Sequence, residues 1–313
     1  MRTVALGLPV AVVDVDEALN GEWLAHSRGV DVVRVQDPPP ERWAELAEIG
    51  FLPKPQVLTW RAATAACEED FLAGLARKDK QNIRIARRRA KADGLTTTIR
   101  GVDETLLAMF LPLYEAQVAR MVHGWSVATE HRDRILAERD SYFAVCVWDG
   151  DALVGASINQ RSRQRDEVRA RFSAVVPDQR QASLTRVIYL EIVRVAREEG
   201  YTMVSLGSDP NLYGHLVKPG LFSFKSRLGF VPVPSHLVDA GSGSDQADRI
   251  TAFTAITDPS FLLSYAPGAD GRPERGPRLA LDMYTTAREI DRRPYTVDYL
   301  VDFHVHRLEG ERR

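Results

Sequence analysis

A carboxylate, a phenol, an imidazole and an ammonium fall in one stretch of the chain: Asp209, Tyr213, His215 and Lys225. Asp209 or His215 can accept a proton, Tyr213 can deliver one to a leaving group, and Lys225 can hold a developing oxyanion or a terminal phosphate. Asp209, Asn211, Tyr213 and His215 follow the apolar run at 202–206, which reads as a short buried strand, and loops at the carboxyl ends of strands often carry binding residues. Plainer readings stand beside these. Asp209-Pro210 makes a good turn by itself, and Lys225 can be a solvent-facing lysine on a short helix. Phe222 and Phe224 can line an acyl channel or stack on a base, or can simply fill the core.

A second group of candidates is electrostatic. Residues 68–92 form a strongly helical stretch in which Leu72, Leu75, Ile83, Ala86 and Ala90 share one face. Arg77, Lys80, Arg84, Arg87, Arg88 and Lys91 cluster on another, and Asp79 is the acid in their midst. Such a stripe is either a solvated helix face or a surface that follows a phosphate backbone. Because the whole chain carries a net charge of −2, polyanion affinity has to be local.

Other chemistries are not expected. Cys67 and Cys146 are far apart with no metal-ligand spacing and read as thiols in a reducing compartment. His304 and His306 alternate in a strand-like segment and share a face, but no set at zinc-ligand spacing joins them. There is no P-loop, dinucleotide fingerprint, nucleophile elbow or zinc-protease motif. No apolar span approaches membrane-crossing length, so a cytoplasmic location without a membrane anchor is expected.

The elements that must position these residues are legible in outline. Residues 4–13 and 31–35 read as buried strands, 41–49 as a short helix and 56–60 as a strand. Gly94 stops the basic helix, residues 96–100 form a strand, and Asp103 or Thr105 starts a helix through Phe110 to Met121. Residues 142–147 and 153–158 flank Asp149-Gly150-Asp151, a β-hairpin signal. A strand at 167–176, a helix from Leu184 to Gly200, the strand at 202–206, a short helix or turn at 221–227 and an extended 231–234 complete the order. A strand–helix–strand crossover after antiparallel strands indicates an α/β domain with a mixed sheet. Gly241-Ser242-Gly243-Ser244 reads as a flexible link. The apolar segments beyond it have no evident place.

This arrangement resembles the GNAT superfamily, and within it the FemABX-like branch, which joins two GNAT-like domains. The basic helix Lys80-Gln81-Asn82-Ile83-Arg84-Ile85-Ala86 to Gly94 looks like that branch's N-I-R-x-A helix, with two extra residues before the glycine. The hairpin at 145–155 looks like the first central hairpin of a GNAT fold. Gly220-Leu221-Phe222-Ser223-Phe224-Lys225, continuing to Gly229-Phe230, is similar to the branch's G-L-Y-x-F-K segment. The resemblance covers roughly residues 50–235. It implies tandem GNAT-like domains, each a mixed, mostly antiparallel sheet flanked by helices. The expected limits are 1–125 for the first, 126–240 for the second, and 241–313 for a linker and tail that can complete the first.

The resemblance further implies an acyltransferase that forms an amide. The leading expectation is transfer of an aminoacyl group from aminoacyl-tRNA, as co-substrate, to the amine of a small metabolite or cell-wall precursor, with no bound cofactor. Lys225 then takes the oxyanion role, and Phe222, Phe224, Gln179, Arg180 and Ser183 contact the donor. Lys80, Arg84, Arg87, Arg88 and Lys91 contact tRNA or phosphate. The enzymatic alternative is an acyl-CoA-dependent N-acyltransferase. Its pyrophosphate loop would be Gln179-Arg180-Gln181-Ala182-Ser183, which lacks the glycines that let backbone amides approach a phosphate closely. A third reading is a non-catalytic module that binds nucleic acid or a partner.

Overall fold

The computed structural model describes residues 1–5, 7–124, 126–177 and 184–308. Its strands are β1 (Arg2–Ala5), β2 (Leu8–Val13), β3 (Val32–Gln36), β4 (Leu52–Pro55), β5 (Val57–Ala63), β6 (Thr96–Gly101), β7 (Tyr142–Asp149), β8 (Ala152–Ser162), β9 (Glu167–Val175), β10 (Met203–Pro210), β11 (Val231–Pro234), β12 (Asp245–Ile250), β13 (Ser260–Tyr265), β14 (Leu279–Thr285) and β15 (Leu300–Arg307). The helices are α1 (Val15–Leu19), α2 (Trp23–His26), α3 (Trp43–Glu48), α4 (Glu68–Ala73), α5 (Arg77–Ala92), α6 (Glu104–Val118), α7 (Val127–Glu130), α8 (Arg132–Ala137), α9 (Leu184–Glu198) and α10 (Pro219–Ser226). None of them is long and apolar enough to cross a membrane.

The chain folds as two compact units, and both are α/β with mixed, mostly antiparallel sheets. The first takes Met1–Thr59, Ser208–Ser226 and the chain from Val231 onward; the second takes Trp60–Gly207 and Arg227–Phe230.

In the first unit the larger sheet has the order β1-β2-β3-β12-β4. β2 and β3 are parallel, bridged by α1 and α2, and the other pairs are antiparallel. β2 is apolar on both faces because both are covered. Ala11 and Val13 face Trp23, Leu46 and Phe51, the helical side. Leu8 and Val10 face Leu212, Ile256, Leu262 and Tyr284. The last two of these lie on the smaller sheet, β13-β14-β15. The run at 4–13 is therefore two strands, split at Gly7, whose φ of +82° turns the chain into a hairpin. The apolar tail segments become β12 to β15.

The Gly-Ser segment is pinned rather than loose. Gln56 N donates to Ser244 O at 2.8 Å, Gln36 Nε2 donates to Ser244 Oγ at 2.7 Å, and β12 begins at the next residue. Composition suggests flexibility; at Ser244 these backbone and amide bonds oppose it.

In the second unit the strands follow the order β5-β10-β9-β8-β7-β6. β6 to β9 pair antiparallel, and β9 pairs parallel with β10, so α9 is the crossover between them. Alternate residues of β7 serve opposite faces. Tyr142, Ala144 and Cys146 pack against Leu106, Phe110 and Leu111 of α6. α9 covers the other face and approaches β8 closely. A Cβ added at Gly155 would lie 3.2 Å from Ile188 and 3.3 Å from Leu184. The hairpin is closed by Gly150, φ +54°, between Asp149 and Ala152. The helix expected over 68–92 is two helices. Gly74 caps α4, and Ala76, in extended conformation, starts α5. Asp103 caps α6 by accepting from Leu106 N at 2.7 Å.

Candidate functional site

Three neighbourhoods collect the residues with chemistry. The first is the turn after β10, in the first unit. Lys225, on α10, donates to both carboxylate oxygens of Asp209, at the end of β10, at 2.9 and 2.8 Å. Their side chains are 7% and 11% exposed. Burial pulls the Lys225 ammonium below its usual range, and the Asp209 carboxylate opposes that shift. Lys225 is thus held as one half of a buried ion pair, and Asp209 as the other.

Tyr213 and Phe222 lie inside an aromatic cluster. The Tyr213 ring stacks on Phe261 at 4.6 Å, and Phe222 meets Tyr213 and Phe261 edge-on at 5.6 and 5.2 Å. Both are fully buried, so this geometry makes them core residues that shape the turn. Phe224 is half-buried. Asn211 ties the turn down. Its amide donates to Pro55 O and Leu263 O, and its carbonyl accepts from Leu263 N, each at 2.8 Å. Gly214, with φ +135°, passes so close to Ser260 that any side chain there would collide with it.

The second neighbourhood is a cavity of about 200 Å³, also within the first unit, whose lining includes His215, Arg34, Lys54 and Gln56. His215 is the one proposed acid–base residue that lines it, with Nδ1 3.4 Å from Ala255 O. Lys54, Arg34 and their partner Asp248 were not anticipated from the sequence. Arg34 holds Asp248 through Nε and Nη2, both at 2.7 Å. Lys54 Nζ reaches the same carboxylate at 3.2 Å and Gln246 Oε1 at 3.1 Å. The two cations hold Asp248 down at about 2, and burial brings Lys54 down to about 8. The available signal was a charge inside an apolar strand: Arg34 amid valines, and Lys54 between Pro53 and Pro55.

The third is the basic face of α5, in the second unit. Ile83 and Ala86 are buried, whereas Arg84, Arg88 and Lys91 are exposed and take no ion pair among the described residues. Two members of the expected set are engaged locally. Arg87 forms a two-pronged bond to Glu68, with Nη2 3.0 Å from Oε2, and Lys80 donates to Ala73 O at 3.1 Å. Gln179, Arg180 and Ser183 lie outside the described residues. His304 and His306 both bond Asp282, at 3.3 and 2.7 Å. Among the described residues no group of side chains is arranged to hold a metal ion.

The family model described as an acetyltransferase (GNAT) domain matches residues 77–214. That stretch is similar to a GNAT domain. The match begins at α5 and ends at the turn beyond β10, so the matched stretch includes the basic helix, the central hairpin and the α9 crossover. Among solved structures, FemX is 14% identical over 78% of this chain and 80% of that one, with a TM-score of 0.46. L-PGS from Bacillus licheniformis is 15% identical over 79% of each chain, with a TM-score of 0.42. Among curated proteins none matches.

Proposed function

We propose that this GNAT-domain protein is an acyltransferase that forms an amide, taking an aminoacyl group from aminoacyl-tRNA and passing it to the amine of a small metabolite or cell-wall precursor. The observation that carries the choice of donor is the α5 stripe. Arg84, Arg88 and Lys91 stand at helical spacing on one exposed face, and three further cations of the same helix, Arg77, Lys78 and Arg89, are exposed as well. A free cationic stripe on the helix that opens the GNAT domain suits a phosphate backbone.

Aminolysis needs a neutral amine, a stabilised oxyanion and a protonated leaving oxygen, and positioning can supply most of the acceleration. His215 is the candidate to receive the amine proton, because it lines a cavity. Lys225 is proposed to act through its buried pair with Asp209, holding the turn that carries His215. The test is product formation with tRNA charged by its synthetase, with and without ribonuclease, against acyl-CoA in parallel. Product that survives ribonuclease and requires acyl-CoA would replace this reading.

That second reading, an acyl-CoA-dependent N-acyltransferase, is favoured by one specific point: the matching family model is described as an acetyltransferase. Saturable thermal stabilisation by acetyl-CoA would be its signature.

A further inference from the structure

The cavity in the first unit has an unbalanced charge. Arg34 and Lys54 share a single carboxylate, Asp248, and their side chains are 15% and 1% exposed while that of Asp248 is 0% exposed. Two buried cations against one anion leave an excess positive charge where desolvation is expensive. Among the described residues of the lining, no carboxylate offsets it. The residues around it are the amides Gln56, Asn211 and Gln246, His215, and the apolar Leu8, Val57, Pro210, Leu212 and Leu216.

The spare side-chain hydrogen-bonding capacity of Arg34, Lys54 and Gln56 has one sign. Both oxygens of Asp248 are taken by Arg34, and one is shared with Lys54. Gln246 Oε1 accepts from Lys54, and Gln56 Oε1 accepts from Ser244. What is left over is donors. Arg34 Nη1 and Gln56 Nε2 make no hydrogen bond among the described residues, and Lys54 has a third proton beyond those directed at Gln246 and Asp248. A site with surplus cation, spare donors and an apolar wall matches an amphiphile with an anionic head. Its volume of about 200 Å³ is below the range of drug-sized pockets, so the ligand is small.

We propose that this cavity binds a small monocarboxylate, its head on Arg34 and Lys54 and its aliphatic or aryl tail against Leu8, Leu212 and Leu216. A carboxylate fits better than a phosphate because most of the wall is apolar and only a few donors are left to meet a head group. The inference goes beyond the acyl-transfer reading and holds whichever donor that reaction uses.

The experiment is calorimetric titration of the full-length chain with hexanoate, 3-phenylpropionate, the neutral isostere hexanamide, and inorganic phosphate, with thermal shift in parallel. Saturable binding of a carboxylate but not of hexanamide is expected. Lys54→Met leaves Arg34 and Asp248 as a balanced pair and should weaken carboxylate binding by about tenfold or more. Gln56→Glu retains an acceptor for Ser244 while placing a negative charge at the cavity, and should abolish binding. Gln56 is only half-buried, so this variant decides the matter if Lys54→Met fails to fold. Equal binding of hexanoate and hexanamide, saturation by phosphate alone, or unchanged affinity in a folded variant would overturn the proposal.

Discussion

The ammonium of Lys225 sits astride the carboxylate of Asp209, within 2.9 Å of both oxygens and nearly sealed from solvent. Two residues that the sequence offers as separate reagents thus neutralise each other. Removing one leaves a buried charge without its counter-ion, so Lys225→Met should destabilise the protein by about 3–5 kcal/mol. Asp209→Leu combined with Lys225→Met should recover most of that loss. Urea unfolding of the two single variants and the double variant measures the coupling. Additive losses would show that the pair does not act as a unit.

Stability should respond to alkali through Lys54. Its folded value is lowered to about 8 against 10.5 for the free side chain. Between these limits the unfolded chain binds more protons, so stability from this group rises with pH across that window and is flat below it. The thermal midpoint of the wild type should therefore gain on that of Lys54→Met between about pH 8 and 10.5. Asp248 works at the other end. Its depressed value means stabilisation that is complete above its unfolded value near 3.8 and disappears as the pH falls through about 2.

Gly155 reports on how tightly α9 lies on the sheet. Alanine needs only a few tenths of an ångström of give from Ile188 and Leu184 and should be nearly neutral. Leucine has to displace the helix and should cost about 1–3 kcal/mol. Equal midpoints for the two variants in guanidinium would mean that this face is not close-packed.

The α5 stripe makes a prediction in salt. If Arg84, Arg88 and Lys91 each meet a phosphate, the triple change to glutamine should flatten the log–log salt dependence of tRNA affinity by about one unit per contact. It should leave the unfolding midpoint almost unchanged, because these side chains are exposed and unpaired among the described residues. A fluorescence titration across ionic strengths gives the slope directly.

The parts of the fold that were readable are those encoded locally. The Gly150 turn, the Gly94 stop, the Asp103 cap and the α9 crossover depend on a few adjacent residues, and the structure has each of them. What escaped is long-range. The Gly-Ser segment is pinned by Gln36 and Gln56, some two hundred residues earlier in the chain. Lys54 meets Asp248 across a comparable distance in sequence. A buried charge cluster of this kind has no periodicity to announce it. Phe222 stands in a conspicuous motif, and its ring is enclosed by Tyr213 and Phe261, in line with the core alternative that its sequence also allows.

β12 lies between β3 and β4 in the larger sheet of the first unit. A nascent chain emerging from the ribosome therefore presents β3 and β4 long before the strand that separates them exists. Until Asp245–Ile250 arrives, each has an open edge, and the strands made first are among the last to be completed. Chains terminated before that point should be handed to chaperones rather than released folded.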